Sequence, residues 1–115
     1  LLYMIITLPH LSQQKCVPCS GETPPLSKAD VQLQLQKLRN WEFKSNVIFK
    51  NYTFNSFEET MKFVNSVAKI AEKEQHHPDI HIMYTRVCLE LVTHAINGLS
   101  QNDFIVAAKI DSLWK

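Results

Sequence analysis

Glycine is almost missing from this chain. Gly21 and Gly98 are the two among 115 residues, so no glycine-rich loop exists to cradle phosphates, and the absence of that motif argues against nucleotide-dependent catalysis. Cysteine is scarce as well. Cys16, Cys19 and Cys88 are an odd, low count that gives no disulfide framework. Cys16-Val-Pro-Cys19 is a lone CxxC with no second pair to complete a four-ligand zinc site. It lies in a stretch rich in Pro, Ser and Gly rather than between a strand and a helix, so it reads as incidental loop thiols, and Cys88 reads as a small core side chain. Charge of one sign is lacking too: Lys+Arg number 12 against Asp+Glu 11, net +1. Nothing in that balance draws the chain to nucleic acid or to an anionic membrane. The apolar opening run LLYMIITL is far below the roughly 20 residues of a membrane span; no basic stretch precedes it and no clear cleavage site follows. A cytoplasmic protein is therefore expected, with a nuclear or organellar pool as the alternatives. No nucleophile elbow supports serine hydrolase chemistry.

What is present fits one modest core. Residues 1–25, including His10, read as a poorly ordered amino-terminal tail, and residues 26–115 as one domain. Ser27 caps a helix running to about Arg39, with Asp30 in its first turn and Val31, Leu35 and Leu38 on one face. Trp41 and Phe43 then alternate, followed by Ile48, Tyr52 and Phe54. The parity flips across Ser45-Asn46, as a two-residue hairpin turn requires. Ser56 and Glu59 form a capping-box pattern ahead of a helix whose apolar stripe is Phe57, Met61, Val64, Val67, Ala68 and Ala71. Pro78 closes that helix. Ile80, Ile82 and Tyr84, then Val87, Leu89 and Leu91, predict a second hairpin turning near Thr85-Arg86. Ser100 caps a last helix, with Asp103 in its first turn and Phe104, Ala107, Ala108 and Ile110 buried. The order α-β-β-α-β-β-α predicts an α+β domain: a four-stranded antiparallel sheet with three helices on one face.

The stretch AEKEQHHPDIHIMY concentrates His76, His77 and His81 where a helix ends. His94 follows the last strand of the second hairpin, and a hairpin returning beside its own start brings it toward His76 and His77. Imidazole titrates near neutral pH, so two or three in one cleft can act as acid and base within a turnover. Glu72, one helical turn before His76, is placed to orient that ring. A metal site drawn from His76, His77, His94, Glu72 and Asp79 ranks lower, because HxxxH and HExxH are both absent. His81 is expected to point away as a surface strand residue.

Glu72, His76-His77-Pro78, Tyr84, His94, the GLS before the last helix and Asp103 together resemble the signature of the pterin-4a-carbinolamine dehydratases. The PPLS helix start, Trp41 and IFKNYTF strengthen the resemblance, which covers about residues 24 to 115. It implies an α+β fold, a homodimer or homotetramer, and a pterin substrate, with no cofactor, no metal and no direct contact with nucleic acid or membrane. The implied reaction removes water from a 4a-hydroxytetrahydropterin to give the quinonoid dihydropterin. The implied catalytic residues are His76, His77 and His94, with Glu72 supporting, and the implied substrate contacts are Gln75, His76, His77, Thr93 and His94. His76 and His94 are the favoured proton-transfer pair and His77 the binder. The chain departs from the family pattern at Gln75 (an Asp in animal members), Ile80 (commonly aromatic) and Asn102 (an Arg). These changes touch the rim and leave the proton-transfer set intact. The alternatives are a protein-binding role as dimerisation cofactor of a transcription factor, or a different pterin or folate-pathway activity.

Overall fold

A computed structural model describes residues 10–113; the LLYMIITL run lies outside them. Helix α1 spans Lys28–Leu35, strands β1 and β2 span Glu42–Lys44 and Val47–Thr53, and helix α2 spans Phe57–Glu74. Strands β3 and β4 follow at Asp79–Met83 and Arg86–Leu91, and helix α3 at Gln101–Asp111. The four strands form one antiparallel sheet in the order β1-β2-β4-β3. This is the expected α+β architecture, with the two hairpins joined through β2 and β4.

The first hairpin forms as its parity requires. Phe43 pairs with Ile48, and Ser45 and Asn46 both take left-handed backbone (φ 53° and 68°), the geometry whose twist matches a two-residue hairpin. The second hairpin turns one residue earlier than expected. Met83 pairs with Arg86, so Tyr84-Thr85 make the turn, and Tyr84 takes φ 57°. Ile48, Tyr52, Val87, Leu89 and Leu91 bury one sheet face under the helices. Cys88 alternates to the opposite face of β4 and is half-buried there, so it is not the core side chain expected.

Helix α1 is shorter than its apolar spacing suggests. Its continuation tightens into i→i+3 bonds, Lys37 N–H to Gln34 and Leu38 N–H to Leu35, and Asn40 leaves with φ 62°. In α2 the buried stripe is Thr60, Phe63, Val64, Val67 and Ala71. Phe57 and Ala68 are exposed, and Phe57 stacks instead on Tyr84 at the end of the second hairpin. Helix α3 is buried nearly all round, from Asn102 to Ala108 and again at Ile110 and Asp111. It is covered on one side by α2 and on another by a 3-10 turn at Leu11–Gln13.

That second cover corrects the reading of residues 10–25 as tail. Leu11 is buried in the core, and the Lys109 ammonium donates to the Ser12 carbonyl at 2.9 Å. The segment ends with Pro25 seated on Gly98, where a Cβ would come within 2.8 Å of the proline, and Leu26 N–H donates to the Leu99 carbonyl. Glycine at 98 is thus needed for close approach. At the other end of α3, buried Asp111 accepts from Trp41 Nε1 (3.0 Å), Arg39 N–H (2.9 Å) and Lys50 Nζ (3.3 Å), which fixes α3 to the start of the sheet.

Candidate active site

Helix α2 stops at Glu74 because Gln75 takes left-handed backbone (φ 53°, ψ 41°) and His76 N–H reaches back to the Ala71 carbonyl, a Schellman-type ending. Pro78 follows and is buried. The reversal carries His76 off the helix, so it no longer lies one turn above Glu72. Glu72 pairs with His77 instead, Oε2 to Nε2 at 2.6 Å, and both side chains remain largely in solvent.

His76 meets a different acid. Its Nε2 lies 2.6 Å from Oδ1 of Asp103, which has no exposed surface, while the imidazole keeps 13% exposure. The other oxygen of Asp103 accepts from Ser100 N–H at 2.9 Å and from Thr93 Oγ1 at 2.7 Å. One carboxylate therefore does two things: Oδ2 closes the capping box of α3, and Oδ1 holds the imidazole. A buried carboxylate needs this many donors to remain charged away from water. With Asp103 as acceptor, Nε2 of His76 carries the proton and Nδ1 is the acceptor nitrogen of the ring.

Thr93 is buried, and its hydroxyl is committed to Asp103 and Ser100. Its N–H donates to the Gly98 carbonyl and its carbonyl accepts from Ile96. It lines the cleft, yet its part is to hold Asp103 rather than to offer a free hydroxyl. His94 opens a 3-10 turn, His94–Ile96, with an exposed imidazole. The structure brings His76, His77, His94, Gln75 and Thr93 to the wall of one cleft of about 700 Å³, a size that suits a small heterocycle. His81 sits apart on β3, paired with Glu90 at 3.2 Å. Among the described residues, no three His, Cys, Asp or Glu side chains converge as a metal-ion site. A smaller cleft of about 480 Å³ beside Lys37 and Arg39 contains none of these imidazoles.

Two contributions are not legible in the sequence. Asp103 belongs to the signature and reads locally as a cap, but nothing in a 27-residue separation announces that its second oxygen meets His76. The CxxC segment lines the same cleft. Asn102, buried at the start of α3, clamps Val17 from both sides: Val17 N–H donates to Oδ1 at 3.0 Å, and Nδ2 donates to the Val17 carbonyl at 2.6 Å. Cys16 N–H donates to Glu74 at 2.9 Å. Burial first, and then the Glu74 charge, pushes the Cys16 thiol up to about 12, so it stays protonated and inert at neutral pH.

Known proteins resemble this chain in sequence and fold. A family model described as pterin 4 alpha carbinolamine dehydratase matches residues 24–113. A Nitrosospira multiformis protein, provisionally named a pterin-4-alpha-carbinolamine dehydratase, is 44% identical over 97% of this chain and 99% of its own. A Rickettsia canadensis protein of the same provisional name is 44% identical over 89% of this chain and 95% of its own. Among solved structures, a transcriptional coactivator/pterin dehydratase from Brucella melitensis superposes with a TM-score of 0.75 at 28% identity, over 79% of this chain and 99% of that one. A pterin dehydratase-like protein described as a RuBisCO assembly factor in the alpha-carboxysome superposes with a TM-score of 0.53 at 26% identity, over 66% of this chain and 87% of that one.

Proposed function

Because the chain belongs to the pterin 4 alpha carbinolamine dehydratase family, we propose that it eliminates water from a 4a-hydroxytetrahydropterin by histidine acid–base catalysis. The observation that carries this reading is the His76–Asp103 pair, opening into a cleft that His94 also lines. In the elimination the C4a–O bond breaks and the hydroxyl leaves as water with a proton from an acid. The N5–H proton passes to a base, and the N–H electron pair becomes the N5=C4a bond. The base develops positive charge, and an imidazole backed by a buried carboxylate tolerates that best. His76 is therefore the base at N5 and His94, on the solvent side, the acid at the 4a-hydroxyl. Exposed His77, steadied by Glu72, is a binder. Exchange with water resets both imidazoles after each turnover.

The test follows the decay of 4a-carbinolamine, generated by a hydroxylase, by ultraviolet absorbance. Wild-type protein should accelerate the decay, and His76→Ala/His94→Ala should abolish the acceleration while staying folded by circular dichroism. A folded wild-type protein that leaves the decay unchanged at saturating concentration overturns the reading. The second reading is protein binding, favoured by the exposed Met83, Tyr84 and Phe57 around the β3–β4 turn and by the open edge of β3, which also suits the implied homodimer or homotetramer. A stable complex that survives loss of all three cleft histidines would favour it.

A further inference from the structure

Residues Cys16–Cys19 lie far in sequence from the rest of the site, Val17 85 positions from Asn102, yet they are held there by five hydrogen bonds. Val17 is clamped through both backbone groups by the Asn102 amide. Cys16 N–H is held by Glu74, which is itself paired with Lys109 at 3.5 Å. The Cys16 thiol lies 3.6 Å from the Asn102 carbonyl, and the Cys19 sulfur lies 3.6 Å from Nδ2 of the same residue. Asn102 is only 5% exposed and its amide is fully used. The Val17 side chain is not: it is 63% exposed and lines the cleft together with Pro18. Val17 and Pro18 thus give the cleft an apolar stretch of wall that is held in place through the Val17 backbone.

The anchors give this wall a position relative to the chemistry. Adjacent residues of α3 hold the two sides: Asp103 fixes His76, and Asn102 fixes the strap. With His76 as the base at N5, the neighbouring ring atom is C6, the carbon that carries the variable substituent of a pterin. That substituent is carried by the ring atom next to N5, on the side of the pterin that would face His76, and the strap lines the same cleft as His76.

We propose that the Cys16–Cys19 strap is the substituent-recognising wall of the cleft, with Val17 and Pro18 as specificity-determining residues and Asn102 as the positioning residue that holds them. The inference rests on the dehydratase reading. The CxxC then serves as an anchor, its two sulfurs packed on one asparagine.

The experiment compares two 4a-hydroxytetrahydropterins, one with a methyl group at C6 and one with a dihydroxypropyl chain, on the full-length wild type, Val17→Trp and Asn102→Ala. Val17 is exposed, so a tryptophan there leaves the fold intact, which circular dichroism verifies. Its bulk should shift the ratio of kcat/KM between the two pterins by more than roughly threefold against the larger substituent. Asn102→Ala frees the strap and should raise KM for both pterins roughly three- to tenfold, with a smaller change in kcat. A merely structural role would instead lower the fraction of active protein and move kcat alone. If wild type turns over both pterins and Val17→Trp shifts the ratio by less than about threefold, the strap is not the specificity wall and the proposal falls by itself. If wild type accelerates neither reaction, the dehydratase reading fails and takes the proposal with it.

Discussion

Two neighbouring histidines of the cleft wall each meet a carboxylate at the same distance. His76 Nε2 is 2.6 Å from Asp103, and His77 Nε2 is 2.6 Å from Glu72. Their surroundings are opposite. Asp103 is fully buried and its other oxygen is occupied by Thr93 and Ser100, so the acceptor cannot turn away and the His76 ring inherits a fixed orientation. Glu72 keeps 72% of its side-chain surface and His77 keeps 52%, so water competes for every lone pair and salt screens the attraction. An exposed pair of this kind is worth about 0–1 kcal/mol, whereas breaking a buried one leaves an uncompensated polar group at several times that cost. Distance alone does not separate these two pairs; burial and the count of other partners do.

The sharpest way to break the comparison is to make the same carboxylate-to-amide change in both pairs. Asp103→Asn keeps the shape, but its amide oxygen is a weaker acceptor and its NH₂ faces donors. We expect kcat to fall roughly 10²- to 10³-fold, as a base deprived of its orienting carboxylate does. Loss of the buried charge-assisted bonds should cost about 2–4 kcal/mol of stability, read from urea unfolding. Activity within about threefold of wild type would remove Asp103 from the mechanism.

The contrast also separates what the sequence makes legible from what it hides. Both hairpins are readable because a sheet with one covered face needs alternation, and Ser45-Asn46 announces a turn by residue type. Tyr84 does not: its left-handed backbone (φ 57°) belongs to a residue that rarely adopts it, so the second turn is misplaced by one position. The imidazoles are readable because three in one stretch at a helix end are unusual. Their partners are not, because Gln75 breaks the helical register that would have joined Glu72 to His76, and Asp103 already has a complete local explanation as a cap. The strap is the least legible part. Proline, serine and glycine specify a loop, while the bonds that make it a wall, such as Val17 to Asn102 across 85 positions, are set by tertiary packing.

Glu74 is the intermediate case. Its side chain is 5% exposed, nearly as buried as Asp103, and its partners are the Cys16 N–H and the Lys109 ammonium. Burial alone would raise its pKa; the Cys16 N–H and Lys109 outweigh burial and hold the carboxyl below its ordinary value of 4.5. A folded value below the unfolded one means that ionised Glu74 stabilises the protein above the unfolded value, and that this stabilisation is lost as pH falls through the folded one. Glu74→Gln should therefore cost about 1–2 kcal/mol at pH 7. The gap between variant and wild type should hold down to about pH 4.5 and close below it, as followed by urea midpoints across a pH series. A gap that stays constant well into acid would mean that the amide fails for reasons of packing rather than charge.

The smallest effect belongs to Glu72→Gln. The pair it breaks is as short as the His76 pair, but both members are solvated, and His77 can hydrogen-bond to water as readily as to the carboxylate. Stability should change by less than about 0.5 kcal/mol, and whatever change exists should shrink as ionic strength rises. With His77 as the proposed binder, its loosening should appear as a rise in KM of less than about threefold, with kcat nearly constant. A double-mutant cycle of Glu72→Gln with His77→Ala should give a coupling within about 0.5 kcal/mol. A loss of kcat comparable to that of Asp103→Asn would invert the ranking of the two pairs: the proton would then move through the solvated histidine, and Asp103 would be left as a capping residue that happens to touch His76.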